Sequence, residues 1–261
     1  MDTSTIYPIT FPIPNCKMLP SNTPPTQKKR WLAFIRPDRR GTYIYKNEYS
    51  YYIDYQTSFF ALTTKKAGWD CMRHYEILAN GCIPLFKDLD QCPPNTMTHF
   101  PKQLIKEALD DLLTPELQQE MINNNRFEQP QQLSLPPPFT LEKYNHHVKK
   151  LLEYTRNHLT TTEMAKYILQ TTAIHPPLPN RILFLSGEDA EAISPDYMRC
   201  LLLHGFKELY KTNCHEYPLL VHMYDDYDDS ASYGKGYGRG MTYSKNLNKT
   251  IHRAPIQDTP E

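Results

Sequence analysis

The chain lacks an excess of charge of either sign. Its 261 residues carry 29 basic and 29 acidic side chains. Proteins that bind nucleic acid or anionic membranes usually show a basic excess, which draws the partner in over long distances. We therefore expect no nucleic-acid partner, and any anion-binding site in this chain must be local.

The chain also lacks a long apolar run. No stretch approaches the roughly 20 apolar residues that a membrane-spanning helix needs. The opening sequence MDTSTIYPITFPIPNCKMLP has no cationic segment ahead of an apolar one, so we do not expect a signal peptide. The sequence predicts no membrane span and a cytoplasmic location.

The cysteines lack the dense spacing of a disulfide scaffold, and we expect reduced thiols. They are Cys16, Cys71, Cys82, Cys92, Cys200 and Cys214. A zinc site is an alternative, with candidate ligands Cys71, His74, Cys82, Cys92 and His99. No second closely spaced pair completes the tetrahedral pattern. We therefore expect no metal and no cofactor.

Strand and helix patterns alternate along the chain and predict an α/β protein with largely parallel sheets. No internal repeat is present. The expected segments are an extended N-terminal arm (1–30), a first lobe (31–127), a Pro-rich linker (128–139), a helical segment (140–176), a partial second lobe (177–224) and a flexible tail (225–261).

The first lobe is expected to contain strands at Trp31–Ile35, Phe59–Thr64 and Cys82–Phe86, with helices at Asp70–Asn80 and about Pro101–Leu113. The helical segment that follows reads as one long helix or two short ones. In the second lobe, "RILFLSG" and "CHEYPLLV" predict strands on either side of a helix at Pro195–Tyr210.

The stretch TTKKAGWDCMRHYEILANGCIPLF predicts a strand, a short basic loop, a helix and a second strand. Asp70 suits the N-cap of that helix, and Gly81 suits its C-terminal end. Free backbone N–H groups and the helix dipole favour an anion at such a junction. Lys65 and Lys66 add charge, and Gly68 permits close approach to the backbone. The stretch therefore predicts a site for a mono- or diphosphate.

The helical period gives this helix two faces. An apolar face is expected to pack on the sheet and consists of Cys71, Met72, Tyr75, Leu78 and Ala79. Arg73, Glu76 and Asn80 are expected on the opposite side, away from the core. The alternative is that the lysines are simply solvated. Arg73 and Glu76 would then be an ordinary surface pair worth about 0.2–0.5 kcal/mol.

The blocks GWDCMRHYEILANGCIP and CPPNTMTHFPK resemble the nucleotide-sugar-binding lobe of exostosin-like glycosyltransferases, in particular those of large DNA viruses, algae and some bacteria. The resemblance covers roughly Arg30 to Leu113. It implies a GT-B-like Rossmann lobe that holds a donor, usually a UDP-sugar. The segment from Arg181 resembles the start of a second Rossmann-like lobe.

The resemblance also implies residue roles. Lys65, Lys66 and Arg73 are expected to face the diphosphate, and Glu76 to accept hydrogen bonds from the ribose. Three further arginines follow the first strand and could reach the same phosphates: Arg36, Arg39 and Arg40.

The implied reaction is an inverting sugar transfer to a glycan or protein-linked acceptor. A base deprotonates the acceptor while cationic groups stabilise the leaving diphosphate. Glu188 and Asp189 are candidate bases because they follow a predicted strand. The donor-like lobe comes first and the second lobe is incomplete, which departs from the GT-B order. The alternatives are a permuted minimal enzyme, a non-catalytic nucleotide-sugar-binding module and a fragment of a larger glycosyltransferase. A partner chain is expected as one way to complete the second lobe.

Two other clusters have simpler interpretations. The acidic group Asp225, Asp226, Asp228 and Asp229 resembles metal-binding carboxylates but is more typical of a solvated loop. The tyrosines between Tyr43 and Tyr55 suit stacking on a base or sugar, or half-buried packing.

Overall fold

The structure, a computed structural model, describes residues 6–123, 127, 137–172, 179–186, 197–228 and 240–255. The chain forms two compact units. The first unit contains residues 1–11 and 17–159, and the second contains residues 12–16 and 160–261. Both units combine helices with parallel strands, which confirms the predicted α/β class.

The first unit is built on a parallel sheet with strand order β1-β2-β3. Its elements in chain order are β1 (Arg30–Leu32), α1 (Glu48–Gln56), β2 (Ser58–Thr63), α2 (Met72–Ala79), β3 (Ile83–Phe86), α3 (Lys102–Leu112), α4 (Pro115–Asn123) and α5 (Leu141–His158). The helix α4 was not predicted, and α5 is one of two helices in the helical segment.

The central strand β2 explains the sheet's position in the core. All six residues of its sequence SFFALT are buried. A near-continuous apolar run of this kind is typical of a parallel strand that is covered on both faces. Aromatic rings surround the strand, with the Phe59 and Tyr144 centroids 4.8 Å apart and Trp31 and Phe139 5.0 Å apart. These contacts attach α5 to the sheet.

Gly81 ends α2 as predicted, with a φ of +63°. Its N–H donates to the carbonyl oxygen of Leu78 at 3.1 Å, which closes the last turn. A Cβ atom at this position would come within 2.6 Å of the Pro25 ring. Glycine therefore fits for two reasons, backbone conformation and space.

The second unit contains a β-α-β arrangement with a parallel pair of strands. Its elements are α6 (Thr161–Thr171), β4 (Ile182–Leu185), α7 (Tyr197–Tyr210), β5 (Cys214–Tyr217) and α8 (Lys249–His252). The apolar residues Leu201, Leu203 and Phe206 of α7 are buried. Leu183 and Leu185 alternate with inward residues and are exposed.

The structure divides the chain differently from the sequence-based segments. The unit boundary at 159/160 separates α5 from α6, so the helical segment 140–176 is shared between the units. Part of the arm, 12–16, belongs to the second unit, where Ile13 accepts a hydrogen bond from Thr161 N–H at 3.0 Å.

The expected tail, 225–261, is folded where the structure describes it. Leu247 is fully buried and forms a bridge with Tyr224. Tyr243 is also buried, at 1% exposure. These side chains contribute to the core of the second unit. Among the described helices, none is long and apolar enough to cross a membrane.

Candidate anion-binding site

The carboxyl ends of β1, β2 and β3 lie at one edge of the sheet, because the strands are parallel. Side chains from the following loops connect there. Lys87, after β3, donates to Asp38, after β1, at 2.7 Å. Thr64, after β2, donates to Asp88 at 2.8 Å. These bonds connect the loops at the edge where open parallel sheets bind ligands. The sequence pattern predicts no role for Lys87, Asp38, Thr64 or Asp88.

His74 fixes the loop between β2 and α2. Its Nε2 lies 3.0 Å from the carbonyl oxygen of Trp69, so this nitrogen carries the proton and donates. Its Nδ1 then accepts from the Thr63 hydroxyl at 2.9 Å. Burial, together with the nearby positive charge of Arg73, lowers the pKa of His74 to about 3. The imidazole is therefore neutral and holds the basic loop against the helix.

The predicted N-cap is wrong by one residue. Cys71 occupies the N-cap position of α2 and provides no side-chain cap. The Asp70 carboxylate instead accepts hydrogen bonds from Phe11 N–H at 2.9 Å and from the Tyr75 hydroxyl at 2.7 Å. Burial raises the pKa of Asp70, and the Phe11 bond opposes that effect. No side-chain capping hydrogen bond from Cys71 is therefore present at the N-terminus of α2.

Arg73 and Glu76 do not face away from the core, which corrects the expectation from the helical period. Their exposed fractions are 9% and 5%. The reason is that α1 covers this side of α2. The Tyr51 hydroxyl donates to Glu76 at 2.6 Å, and the Tyr55 hydroxyl donates to Tyr51 at 2.9 Å. Burial, and then the charge of Glu76, raises the pKa of Tyr51.

Arg73 is the most unusual group at this edge. One nitrogen, Nη2, donates to the hydroxyl of Tyr43. Its Nε and Nη1 are buried and have no hydrogen-bond partner among the residues that the structure describes. The Lys66 Nζ and the Arg73 Cζ each lie 5.3 Å from the Tyr43 ring centroid. Two cations therefore converge on one neutral ring.

The charge of Arg73 persists in spite of its burial. Burial acts to lower the pKa of the guanidinium, yet that pKa stays above its ordinary value, and an arginine side chain is not deprotonated in proteins. No carboxylate lies within ion-pair distance of Arg73 in the part of the chain that the structure describes. The site therefore holds a buried positive charge without an anionic partner.

The remaining loop residues are open to solvent. Lys65 and Lys66 are exposed, and the Lys65 Nζ lies 5.8 Å from the Trp69 ring centroid. The Lys66 N–H donates to the carbonyl oxygen of Gly68 at 3.1 Å. A Cβ atom on Gly68 would only touch the Asp70 carbonyl oxygen at 4.0 Å. Glycine is therefore not required there by the fold, and the open space is compatible with an approaching ligand.

The arginines after β1 separate into two kinds. Arg36 is 1% exposed, and its Nη2 donates to the carbonyl oxygen of Ile122 in α4 at 2.5 Å. Its guanidinium therefore helps to hold α4 and does not face solvent. Arg39 and Arg40 are exposed next to the short 3-10 turn Arg40–Thr42, which leads directly to Tyr43.

The candidate bases Glu188 and Asp189 lie outside the described residues. In the acidic cluster, Asp226 pairs with Arg253 at 2.8 Å, and Asp225 accepts from Asn248 at 2.8 Å. These carboxylates stabilise the second unit around α8. No group of metal-binding side chains is found in the described ranges.

All six cysteines are free thiols.

Comparisons with protein-family models, curated proteins and solved structures find no match to this chain. An uncompensated arginine, two exposed lysines and a helix N-terminus can together bind an oxyanion.

Proposed function

We propose that the first unit binds the diphosphate of a nucleotide sugar at this edge, and that the protein is a glycosyltransferase of the GT-B type with a UDP-sugar as donor. The observation that carries the proposal is the Arg73 guanidinium, which is buried at the start of α2 with two nitrogens lacking partners.

A buried charge without a partner is costly to a fold. Such a group is usually paired with an opposite charge or bonded to a ligand. Guanidinium groups match the geometry of phosphate oxygens. Lys66 faces the same Tyr43 ring as Arg73, so an anion placed there would interact with both cations. A diphosphate supplies the missing negative charge.

The same groups suit sugar transfer. Negative charge develops on the leaving diphosphate, and fixed cations that face it stabilise the transition state. Arg73, Lys65 and Lys66 would supply this charge from the protein. Glu76 is the proposed ribose acceptor, and its bond with Tyr51 would have to be shared or exchanged for one with the ribose. Glu188 and Asp189 remain the proposed bases.

A binding module without catalysis is the second candidate. The described carboxylates next to the basic loop are engaged by other groups: Asp38 by Lys87, Asp70 by Phe11 and Tyr75, and Asp88 by Thr64. Contact with Lys87 lowers the pKa of Asp38, which makes it a weaker base. Asp38 is therefore a poor general base, and the engagement of all three carboxylates by other groups favours a binding role for the first unit by itself.

Calorimetry and turnover assays on the full chain test both candidates. We expect UDP to bind and uridine to bind far more weakly. Arg73→Gln should reduce the UDP affinity about 10- to 100-fold, because it removes a charge-assisted contact. Arg181→Gln, at an exposed position of the second unit, is the matched control and should change nothing. Absence of UDP binding at millimolar concentration would refute the site.

Release of UDP from a panel of UDP-sugars, with a panel of glycan acceptors, then separates the two candidates. Turnover that Arg73→Gln reduces supports the glycosyltransferase. UDP binding without turnover of any donor would support the binding module in its place.

A further inference from the structure

Tyr43 occupies one hydrogen-bonding position of the Arg73 guanidinium. Its hydroxyl oxygen accepts the Arg73 Nη2–H bond. Its ring is also the shared contact of the Arg73 and Lys66 cations. A phenol is a neutral acceptor, so it satisfies one donor of the guanidinium and leaves the charge uncompensated.

The contact also closes the site. The Nε and Nη1 atoms of Arg73 are buried, so a ligand cannot reach them while the surrounding side chains keep these positions. Tyr43 itself is 37% exposed, and it follows the exposed residues Arg40 and Gly41. Arg73, by contrast, belongs to a helix that is buried on every side. Tyr43 is thus the partner that can move.

Among the described residues, the only side-chain hydrogen bond of Tyr43 is the one to Arg73, and the cations that contact its ring are Arg73 and Lys66. An anionic oxygen forms a stronger bond with a guanidinium than a neutral hydroxyl does. Exchange of the hydroxyl for a phosphate oxygen is therefore favourable at the guanidinium.

We infer that Tyr43 is a displaceable cover of the anion site, and that a diphosphate ligand displaces its hydroxyl from Arg73. The inference rests on the proposed function, because it assumes that the ligand is the diphosphate of a nucleotide sugar. Because the Tyr43 hydroxyl competes for Arg73, a diphosphate binds more weakly than it would without that hydroxyl. An uncharged ligand does not displace the hydroxyl from Arg73.

Calorimetry with inorganic pyrophosphate and with UDP tests the cover on the full chain. Tyr43→Phe keeps the ring and removes the competing hydroxyl, so both ligands should bind about tenfold more tightly. The control is Tyr49→Phe, at a tyrosine of α1 that is 77% exposed, and it should match the unchanged protein. Circular dichroism checks that each variant is folded.

The unchanged protein provides a second measurement. Nitration by tetranitromethane, followed by peptide mass spectrometry, reports how accessible each tyrosine ring is. Saturating pyrophosphate should speed the nitration of Tyr43 several-fold relative to Tyr49. This result does not depend on the folding of any variant.

The outcomes separate the cover from the proposed function. If Tyr43→Phe leaves the pyrophosphate affinity unchanged or lowers it, the cover is refuted. The cover is also refuted if pyrophosphate does not speed the nitration of Tyr43. Neither result refutes the nucleotide site. Tighter pyrophosphate binding by Tyr43→Phe without any UDP binding supports the cover and refutes the nucleotide. No binding of either ligand to any of the three proteins refutes both.

Discussion

The Nζ atom of Lys207 lies 3.0 Å from the Oε2 atom of Glu216, and the two side chains are 1% and 2% exposed. Further bonds satisfy both groups. Lys207 also donates to the carbonyl oxygen of Cys214 at 2.6 Å, and Glu216 accepts from the Tyr224 hydroxyl at 2.9 Å and from Leu220 N–H at 3.1 Å. This network joins α7, β5 and the chain that follows β5.

Loss of one partner of this pair should destabilise the second unit strongly. Lys207→Met leaves Glu216 buried without its counter-charge, and we expect a loss of about 3–5 kcal/mol in the free energy of unfolding. Urea denaturation measures it. The control is Lys166→Met, which breaks an exposed pair with Glu163 and should cost less than about 1 kcal/mol. Equal losses for the two variants would show that burial does not govern the Lys207 pair.

Gly205 permits the close contact between α7 and α6. A Cβ atom at Gly205 would lie 2.1 Å from the carbonyl oxygen of Thr161, which is backbone and cannot rotate away. Gly205→Ala should therefore cost about 1–3 kcal/mol or more in the free energy of unfolding. Gly41→Ala is the control, since a Cβ atom there meets nothing within 4 Å. A Gly205→Ala protein as stable as Gly41→Ala would contradict the close approach.

His74 should make stability depend on pH. Its pKa is about 3 when folded and 6.5 ordinarily, so the unfolded chain binds the proton more readily between these values. The stabilisation is present above about pH 6.5 and is lost as the pH falls towards 3. From pH 7 to pH 5 we expect a loss of about 2 kcal/mol from this group.

Denaturation at several pH values measures the effect. His74→Gln should be less stable at pH 7 but should show a flatter dependence on pH. His146→Gln, at an exposed position of α5, should keep the slope of the unchanged protein. His222, whose pKa burial lowers to about 4, contributes in the same direction and is common to all three proteins. An unchanged slope in His74→Gln would mean that His74 is protonated in the folded state or is not buried.

Glu76 has two competing roles, which a pair of ligands can separate. If Glu76 accepts a hydrogen bond from the ribose, the substitution Glu76→Gln should weaken UDP binding by about 1–3 kcal/mol and leave pyrophosphate binding unchanged. If Glu76 serves only as a partner of Tyr51, Glu76→Gln should lower the free energy of unfolding and leave the affinities for UDP and pyrophosphate unchanged. Tyr51→Phe is the matched control, because it removes the same hydrogen bond and keeps the carboxylate. Calorimetry and urea denaturation of the two variants give the answer.

Sequence periodicity predicted the helices and strands around the site but not which elements pack against them. The strand at β2 was predicted within one residue at each end, because a continuous apolar run between polar ends is a strong local signal. The apolar face of α2 was also predicted. The burial of its polar face was not predicted, because α1 packs against that face. A helical wheel carries no information about which element packs against a polar face.

The partner of Arg73 shows the same limit. Tyr43 stands thirty residues earlier in the chain, in a tyrosine-rich stretch whose pattern suits both stacking on a ligand and half-buried packing. Its position in that stretch was the only available signal. Contact between the two residues requires the turn after β1 and the helix after β2 to meet at the sheet edge, which is a property of parallel strand order.

The sequence by itself determined the α/β class, the strand–loop–helix junction with its lysines, and the glycine that ends α2, because each depends on neighbours in the chain. Only the tertiary structure decided that Arg36 belongs to the core, that Arg73 is buried without an anionic partner and that Tyr43 covers it. Those properties depend on which distant groups exclude water and supply hydrogen bonds, and that is fixed when the elements pack together.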